Sequence, residues 1–280
     1  MKKVAIIILN WLGWRDTIEC LSSLKKLDYP NYRLVVVDNA SSDDSVAQIQ
    51  SAYPDIPIIV NKRNLGFGSG CNVAIRQALQ DGTDFVWLLN NDTIADPRAL
   101  TALVEKAESD LGIGAIGSVL YYMDEPDRVQ AWGGGYVNYW RGESRHHLAP
   151  ATEPQLHYLT AASLLLRREA LKQVGLFDEK FFLYWEDVDL GCRLRNGGWK
   201  LAVAEGSRVW HKESASLGER SSLTTEYFNT SAVRFFRKHA RFPAFPIAFG
   251  VGAHMVKLLL RADWNGIRYL LKGAMRKETL

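Results

Sequence analysis

The chain has 280 residues, 47% of them apolar and 23% charged, the make-up of a soluble globular protein with a substantial core. Cys20, Cys71 and Cys192 are odd in number and lack C-x-x-C spacing, which argues against a disulfide framework or a zinc cluster and for a reducing compartment. The net charge of +3 is unevenly spread: residues 234–280 hold ten Lys or Arg against two acids, whereas residues 1–233 hold 24 against 29. A basic tail on a mildly acidic body suggests contact with an anionic surface.

The first apolar run, Val4–Leu9, is too short for a signal peptide and reads as a buried strand. A helical pattern over Thr17–Leu27 stops before Pro30. Leu34–Val37 is a second strand closing on Asp38-Asn39, and Ser41-Ser42-Asp43-Asp44 caps the helix after it. Ile56–Val60 is a third strand, followed by a Gly-rich turn and a helix through Ala74–Leu79. Phe85–Leu89 is the fourth, ending at Asn90-Asn91-Asp92, and Pro97 opens another helix. This alternation predicts an α/β fold, a mostly parallel sheet covered by helices on both faces.

The second half is less regular. Residues 121–160, with Gly133-Gly134-Gly135 and the pair His146-His147, show no sustained period and predict loops and short strands over a crevice. The His pair reads as a solvated loop. Leu164–Leu166 is a buried strand, and Glu186–Asn196 a helix closed by Gly197-Gly198. Lys200–Ala204 and Arg208–Trp210 read as two strands, the second delivering His211.

In such sheets ligands bind beyond the carboxyl ends of the strands. Polar residues gather there: Asn10, Asp38-Asn39 and Asn90-Asn91-Asp92. Any one could be a turn residue, but three at one edge favour a nucleotide-binding crevice. Asp92 suits a hard divalent cation, Mg²⁺ or Mn²⁺, whose shell His211 could complete. Far downstream, Glu186, Asp187 and Asp189 lie between Phe181–Trp185 and Leu190–Arg195. Desolvation raises the proton affinity of carboxyls set among aromatic rings, and a helix N-terminus lowers it. Asp187 is the candidate general base. A plainer reading pairs Asp189 with Arg193 at i+4.

Together these segments resemble family 2 glycosyltransferases, in the inverting GT-A-fold group of rhamnosyltransferase-like and galactofuranosyltransferase-like enzymes. The resemblance spans about residues 3–240 and rests on Val35–Asp43, Asn61–Gly68, Leu88–Thr93, Phe177–Arg195 and Val209-Trp210-His211. It implies that Asp38 and Asn10 meet the donor nucleotide, with Asn39 and the loop residues Arg63, Asn64, Gly66 and Phe67 beside it. Asn90-Asn91-Asp92 occupies the DXD slot, with Asn90 near the ribose and the metal on Asp92 and His211. Asp187 matches the catalytic base, while Trp185, Glu186 and Asp189 orient the acceptor or support the base. Three positions depart from the pattern. Asn90 replaces the first acid of the DXD, Ala161-Ala162-Ser163 stands where relatives often have a Gly, and Ser231-Ala232 where they often have Arg-Asn.

The implied reaction moves one sugar, L-rhamnose from thymidine-diphosphate rhamnose by first preference, to a glycan or lipid-linked acceptor in cell-surface polysaccharide synthesis. A uridine-diphosphate-sugar transferase of the same fold and a sugar-phosphate nucleotidyltransferase are the alternatives. The latter needs an Arg-containing Gly-rich loop after the first strand, where Asn10-Trp11-Leu12 stands. Gly66-Phe67-Gly68-Ser69-Gly70 misses the dinucleotide fingerprint. Residues 1–240 form the expected transferase domain and 241–280 a basic amphipathic helical tail. In that tail Lys257, Arg261, Arg268, Lys272 and Arg276 share one helical side, and Asp263–Gly266 breaks it in two. Such a helix either lies on a membrane through residues 244–277 or packs on its own domain. No nucleic-acid partner is expected; the expected location is the cytoplasm, peripheral to the membrane.

Overall fold

The computed structural model describes residues 1–212, 222–260 and 263–275. Its amino-terminal half alternates strand and helix as β1 (Val4–Asn10), α1 (Trp14–Leu24), β2 (Tyr32–Asp38), α2 (Ser45–Ala52), β3 (Ile58–Val60), α3 (Phe67–Gln80) and β4 (Phe85–Asn90). A short β5 (Thr93–Ala95), α4 (Ala99–Ser109) and the long β6 (Ile113–Tyr122) follow. The stretch without a period holds β7 (Val129–Trp132), β8 (Gly134–Asn138), β9 (Glu143–His146) and β10 (Tyr158–Leu159). Then come β11 (Ser163–Arg167), α5 (Arg168–Val174), α6 (Glu186–Asn196), β12 (Lys200–His211), α7 (Ser222–His239), α8 (Ala244–Leu260) and α9 (Trp264–Met275).

The main sheet runs β3-β2-β1-β4-β11-β6-β12-β5, with β7 on β6. From β3 to β4 every pairing is parallel. Beyond β4 the sheet is mixed, because β11 runs against both β4 and β6, while β12 returns parallel to β6. Alternating side chains sort the strands onto two cores. Val4, Ile6 and Ile8 face α1, α2 and α4, whereas Ala5 and Ile7 face α3, α5 and α6. This two-sided burial is why the strands read as unbroken apolar runs.

β12 is one strand where two were expected. Its register against β6 shifts between Ala204 and Arg208, so Glu205-Gly206-Ser207 forms a bulge and not a turn. Ser207 is pulled inside, its hydroxyl 2.8 Å from that of Ser118, which lies 2.6 Å from that of Ser163. A second sheet, β10-β8-β9, lies beside the first.

The tail divides where Asp263–Gly266 predicts: α8 ends at Leu260 and α9 begins at Trp264. Leu258 and Leu270 are buried, and α8 and α9 both contact α7. Lys272 pairs with Glu226 of α7, and Arg268 is exposed. Arg261 and Arg276 lie outside the described residues, as does the side chain of Lys257. Among the described residues no helix is long and apolar enough to cross a membrane.

Candidate active site

Parallel pairing of β2-β1-β4 sets Asn10 level with Asp38 and brings Asn90 to the same edge. The side chains there form one network. Asn10 Nδ2 donates to Asp38 Oδ2 at 2.7 Å, and its Oδ1 accepts the Thr17 hydroxyl at 2.8 Å. Asn91 Nδ2 donates to the same hydroxyl oxygen at 3.0 Å. Asp38 also accepts the Ser41 backbone N–H and hydroxyl, at 2.9 and 2.7 Å. Asn10 and Asp38 are thus fully buried and mutually satisfied. Asn10 and Ser41 together occupy both Asp38 carboxylate oxygens, and Ala40 beside them sits in the left-handed region, φ 61°.

Asn39 binds a second loop to this edge. Its Nδ2 donates to Asn64 Oδ1 at 2.8 Å and to the Gly66 carbonyl at 3.1 Å. Asn64 Oδ1 in turn accepts the Gly66 N–H at 2.8 Å. Gly66 has φ 81°, and a Cβ there would lie 2.1 Å from the Phe182 carbonyl oxygen, so no other residue fits. Phe67 donates its N–H to that carbonyl at 2.8 Å and stacks edge-on against Phe177. Arg63 is exposed on the rim.

Asp92 precedes β5, whose Thr93 pairs in register with His211 at the end of β12. His211 Nε2 lies 3.2 Å from Asp92 Oδ1 and 3.2 Å from Asn90 Nδ2. Its Nδ1 is 2.8 Å from Gln130 Oε1, which accepts the Nδ1 proton, and its Nε2 faces the acid and donates to it when the ring is protonated. Burial resists charge on Asp92, but the His211 hydrogen bond, helped by the charges of His211 and Lys212, holds its carboxyl below the usual range. One imidazole nitrogen and one carboxylate on a shared axis fit a divalent ion. Among the described residues no cluster of three or more His, Cys, Asp or Glu could hold a metal, so diphosphate oxygens and water would have to supply the remaining ligands.

Asp187 lies in the first turn of α6. Its Oδ2 accepts the Ala161 N–H at 3.2 Å and its Oδ1 the Val188 N–H at 2.8 Å. Ala161 and Ala162 belong to a short strap joining β10 to β11, and Ala162 gives its carbonyl to the Asn90 N–H at 3.0 Å. Two consecutive residues therefore tie the Asn90–Asp92 turn to Asp187. Burial raises the proton affinity of Asp187, and burial together with the Asp187 charge raises that of Glu186. Desolvation outweighs the helix N-terminus here. Glu186 Oε2 is buried without a partner.

Trp185 and Asp189 turn away from this edge. Trp185 packs on Phe228, Phe235 and Phe236, with centroids 5.0–5.8 Å apart. Tyr184 and Trp185 have φ 66° and 67°, a pair of left-handed non-glycine residues directly ahead of Glu186 and the start of α6. Asp189 pairs with Arg193 at 2.8 Å and with Lys238 and His239 at 2.7 Å each. Both side chains are thus taken up in the packing of α6 against α7.

Sequence reasoning missed Gln130, Tyr158 and His146. Tyr158 is buried behind Asp187, whose charge helps burial push its phenol up. The His146 ring faces it, Nδ1 3.3 Å from the phenol oxygen, and the pair His146-His147 stands at the end of β9, not in a free loop.

Residues 2–230 match the family described as glycosyltransferase like family 2, and the chain belongs to that family. Among curated proteins it is 28% identical over 223 residues to the N-acetylglucosaminyl-diphospho-decaprenol L-rhamnosyltransferase of Mycobacterium tuberculosis, covering 71% of this chain and 72% of that one. It is also 28% identical to the galactofuranosyltransferase GlfT1 of the same organism over 171 residues, 59% of this chain and 55% of that. Among solved structures, the mannosyltransferase PcManGT of Pyrobaculum calidifontis, in complex with GDP-Man and Mn²⁺, superposes with TM-score 0.63 at 17% identity, covering 97% of this chain and 86% of that. GalNAc-T7 with UDP, GalNAc and Mn²⁺ gives 0.69 at 14%, covering 97% and 56%. The fold is the GT-A fold and the protein is a glycosyltransferase, which sets the nucleotidyltransferase reading aside.

Proposed function

We propose that this enzyme moves one sugar, with inversion, from a nucleoside-diphosphate donor to a hydroxyl of a glycan or lipid-linked acceptor. One observation carries the reading: the Ala161-Ala162 strap joins a carboxyl of raised proton affinity to an Asp–His pair held ready for a cation. Asp187, short of solvent, takes the proton of the attacking hydroxyl. Asp92 and His211 would hold the metal, which when bound offsets charge developing on the departing diphosphate. Asn39, Asn64 and Gly66 shape the loop beside the nucleotide, and Ser41 opens to let Asp38 reach its base.

The similarity to an N-acetylglucosaminyl-diphospho-decaprenol L-rhamnosyltransferase supports L-rhamnose as the sugar and a prenyl-diphosphate-linked acceptor, and our reading adds a thymidine-diphosphate donor and work at the cytoplasmic face of a membrane in cell-surface polysaccharide synthesis. A uridine-diphosphate sugar is the second reading, supported by the fold shared with TarS of S. aureus, solved with UDP-GlcNAc at TM-score 0.62 and 17% identity, covering 97% of this chain and 81% of that. Thermal shift with thymidine, uridine and guanosine diphosphates, each with and without Mn²⁺, separates them. The first reading expects the largest rise for thymidine diphosphate with Mn²⁺, and no rise in Asp92→Ala. A rise that ignores the metal and survives Asp92→Ala would remove Asp92 from the donor site.

A further inference from the structure

α8 is apolar apart from His254 and Lys257, close to the pattern of a buried helix, yet only one side of it is covered. Ile247, His254 and Leu258 turn inward, and Leu258 is buried. On the other side Phe245, Phe249, Val256, Leu259 and Leu260 fall within about 100° of one another at ~100° per residue. All five are exposed, Phe249 at 61% and Leu260 at 85%. Exposed rings lie at both ends, Phe242 just before the helix and Trp264 just after it.

The sequence around this stripe is rich in cations, though Asp263 stands beside Trp264 and Lys238 is paired with Asp178 and Asp189. From Tyr227 to Ala262 the sequence has six Lys or Arg and no Asp or Glu. Arg241 lies 5.4 Å over the Phe242 ring, and Arg237 is exposed. A protein partner seated on this face would need matching acids along the whole stripe. A bilayer containing anionic lipid meets both features at once, taking the rings into its interface and the cations at its headgroups.

The stripe is also fastened to the site. Trp140, 75% exposed at the turn between β8 and β9, lies 6.3 Å from the Phe245 ring. Gly142 in that turn sits so close to α8 that a Cβ would lie 1.9 Å from the Pro246 carbonyl oxygen. The same small sheet carries His146 and Tyr158 toward Asp187.

We propose that the outer face of α8, with Phe242, Trp140 and Trp264, is an interfacial docking surface for an anionic phospholipid bilayer. It seats the β8–β9 turn at the membrane so that a lipid-linked acceptor enters the site from that side. The proposal rests on the lipid-linked reading of the acceptor and replaces the basic stripe with an aromatic one as the inserted surface.

The test is flotation of the full chain with vesicles of phosphatidylcholine and phosphatidylglycerol at about 7:3, paired with transfer to a water-soluble acceptor. The wild-type chain floats with these vesicles, and brominated lipid quenches its Trp fluorescence. Phe245→Glu/Phe249→Glu cuts the bound fraction about tenfold while soluble-acceptor transfer is unchanged. Trp140→Ala alone, which leaves α8 intact, weakens binding and reduces the quenching. Equal flotation of all three proteins overturns the docking surface. So does a wild-type dimer in light scattering that the double substitution splits, since a second copy would then own the face. Loss of transfer to every acceptor by the wild-type chain would fail the functional reading instead, and flotation would be unaffected.

Discussion

Asp187 and Glu186 carry two carboxyls into a poorly solvated corner at the start of α6. Both hold protons in the folded state that the unfolded chain gives up above about pH 4. Stability is therefore lost as pH rises through that range, because the unfolded state releases protons the folded state keeps. Glu186 accepts no hydrogen bond at Oε2, so Glu186→Gln removes the charge without stranding a donor. Calorimetry should show it melting above the wild-type chain at about pH 7.5 and level with it at about pH 4. A variant that melts lower at both would mean that the charge is satisfied. Asp187→Asn should keep donor binding and lower transfer by at least a hundredfold or so, in the range of lost general-base catalysis. In the wild-type chain the acidic limb of kcat/KM should lie above the ~3.9 of an ordinary aspartate. Retained turnover in Asp187→Asn, or a limb at the ordinary value, would assign the base elsewhere.

At the level of elements, α6 depends on α7 through Asp189. Burial opposes its charge, yet bonds from His239, Lys238 and Arg193 hold its carboxyl down to about 2, and the Asp189 bond raises His239 to about 9 against its own burial. The acid's contribution is present above the unfolded value near 4 and fades toward pH 2; the imidazole's is full below ~6.5 and fades through pH 9. Asp189→Asn takes the counter-charge from half-buried Arg193 and His239, while Lys238 keeps Asp178, so its cost falls below the ~3–5 kcal/mol of breaking a fully buried pair. Denaturant midpoints measured between about pH 4 and 6.5 should show it most clearly, and a midpoint unchanged there would mean the cluster is solvated. The helix itself was readable: the acids ahead of Leu190 and the stop at Gly197-Gly198 give Glu186–Asn196, the bounds observed. Its partners were not, because Lys238 and His239 lie about fifty positions away and no local period reports such a pairing. Gln130, 81 positions from His211, is silent for the same reason. The Ala161 N–H is silent for another, since a backbone donor has no residue type to read. Strand ends were legible because two-sided burial writes apolar runs, whereas the bulge at Glu205–Ser207 imitates a turn.

Across the whole molecule, the tail is part of the core it follows. Leu258 and Leu270 are covered in the packing of α7, α8 and α9. Cutting the chain after residue 240 should therefore lower the melting temperature and increase binding of an apolar dye, not merely release the protein from membranes. An unchanged melting temperature would show that α7 stands alone. The Ala161-Ala162 strap also bears on how the site keeps its spacing. The strap meets the Asp187 carboxylate through the Ala161 N–H and the Asn90 N–H through the Ala162 carbonyl, so its own part in both contacts is main chain that exchange of its side chains leaves in place. Only two methyl groups ride on that span. Both are packed in the core, Ala162 on the side of α1 and α4 and Ala161 on that of α3 and α6, so a larger side chain at either position would press on the packing that holds the Asn90 turn and Asp187 at a fixed separation.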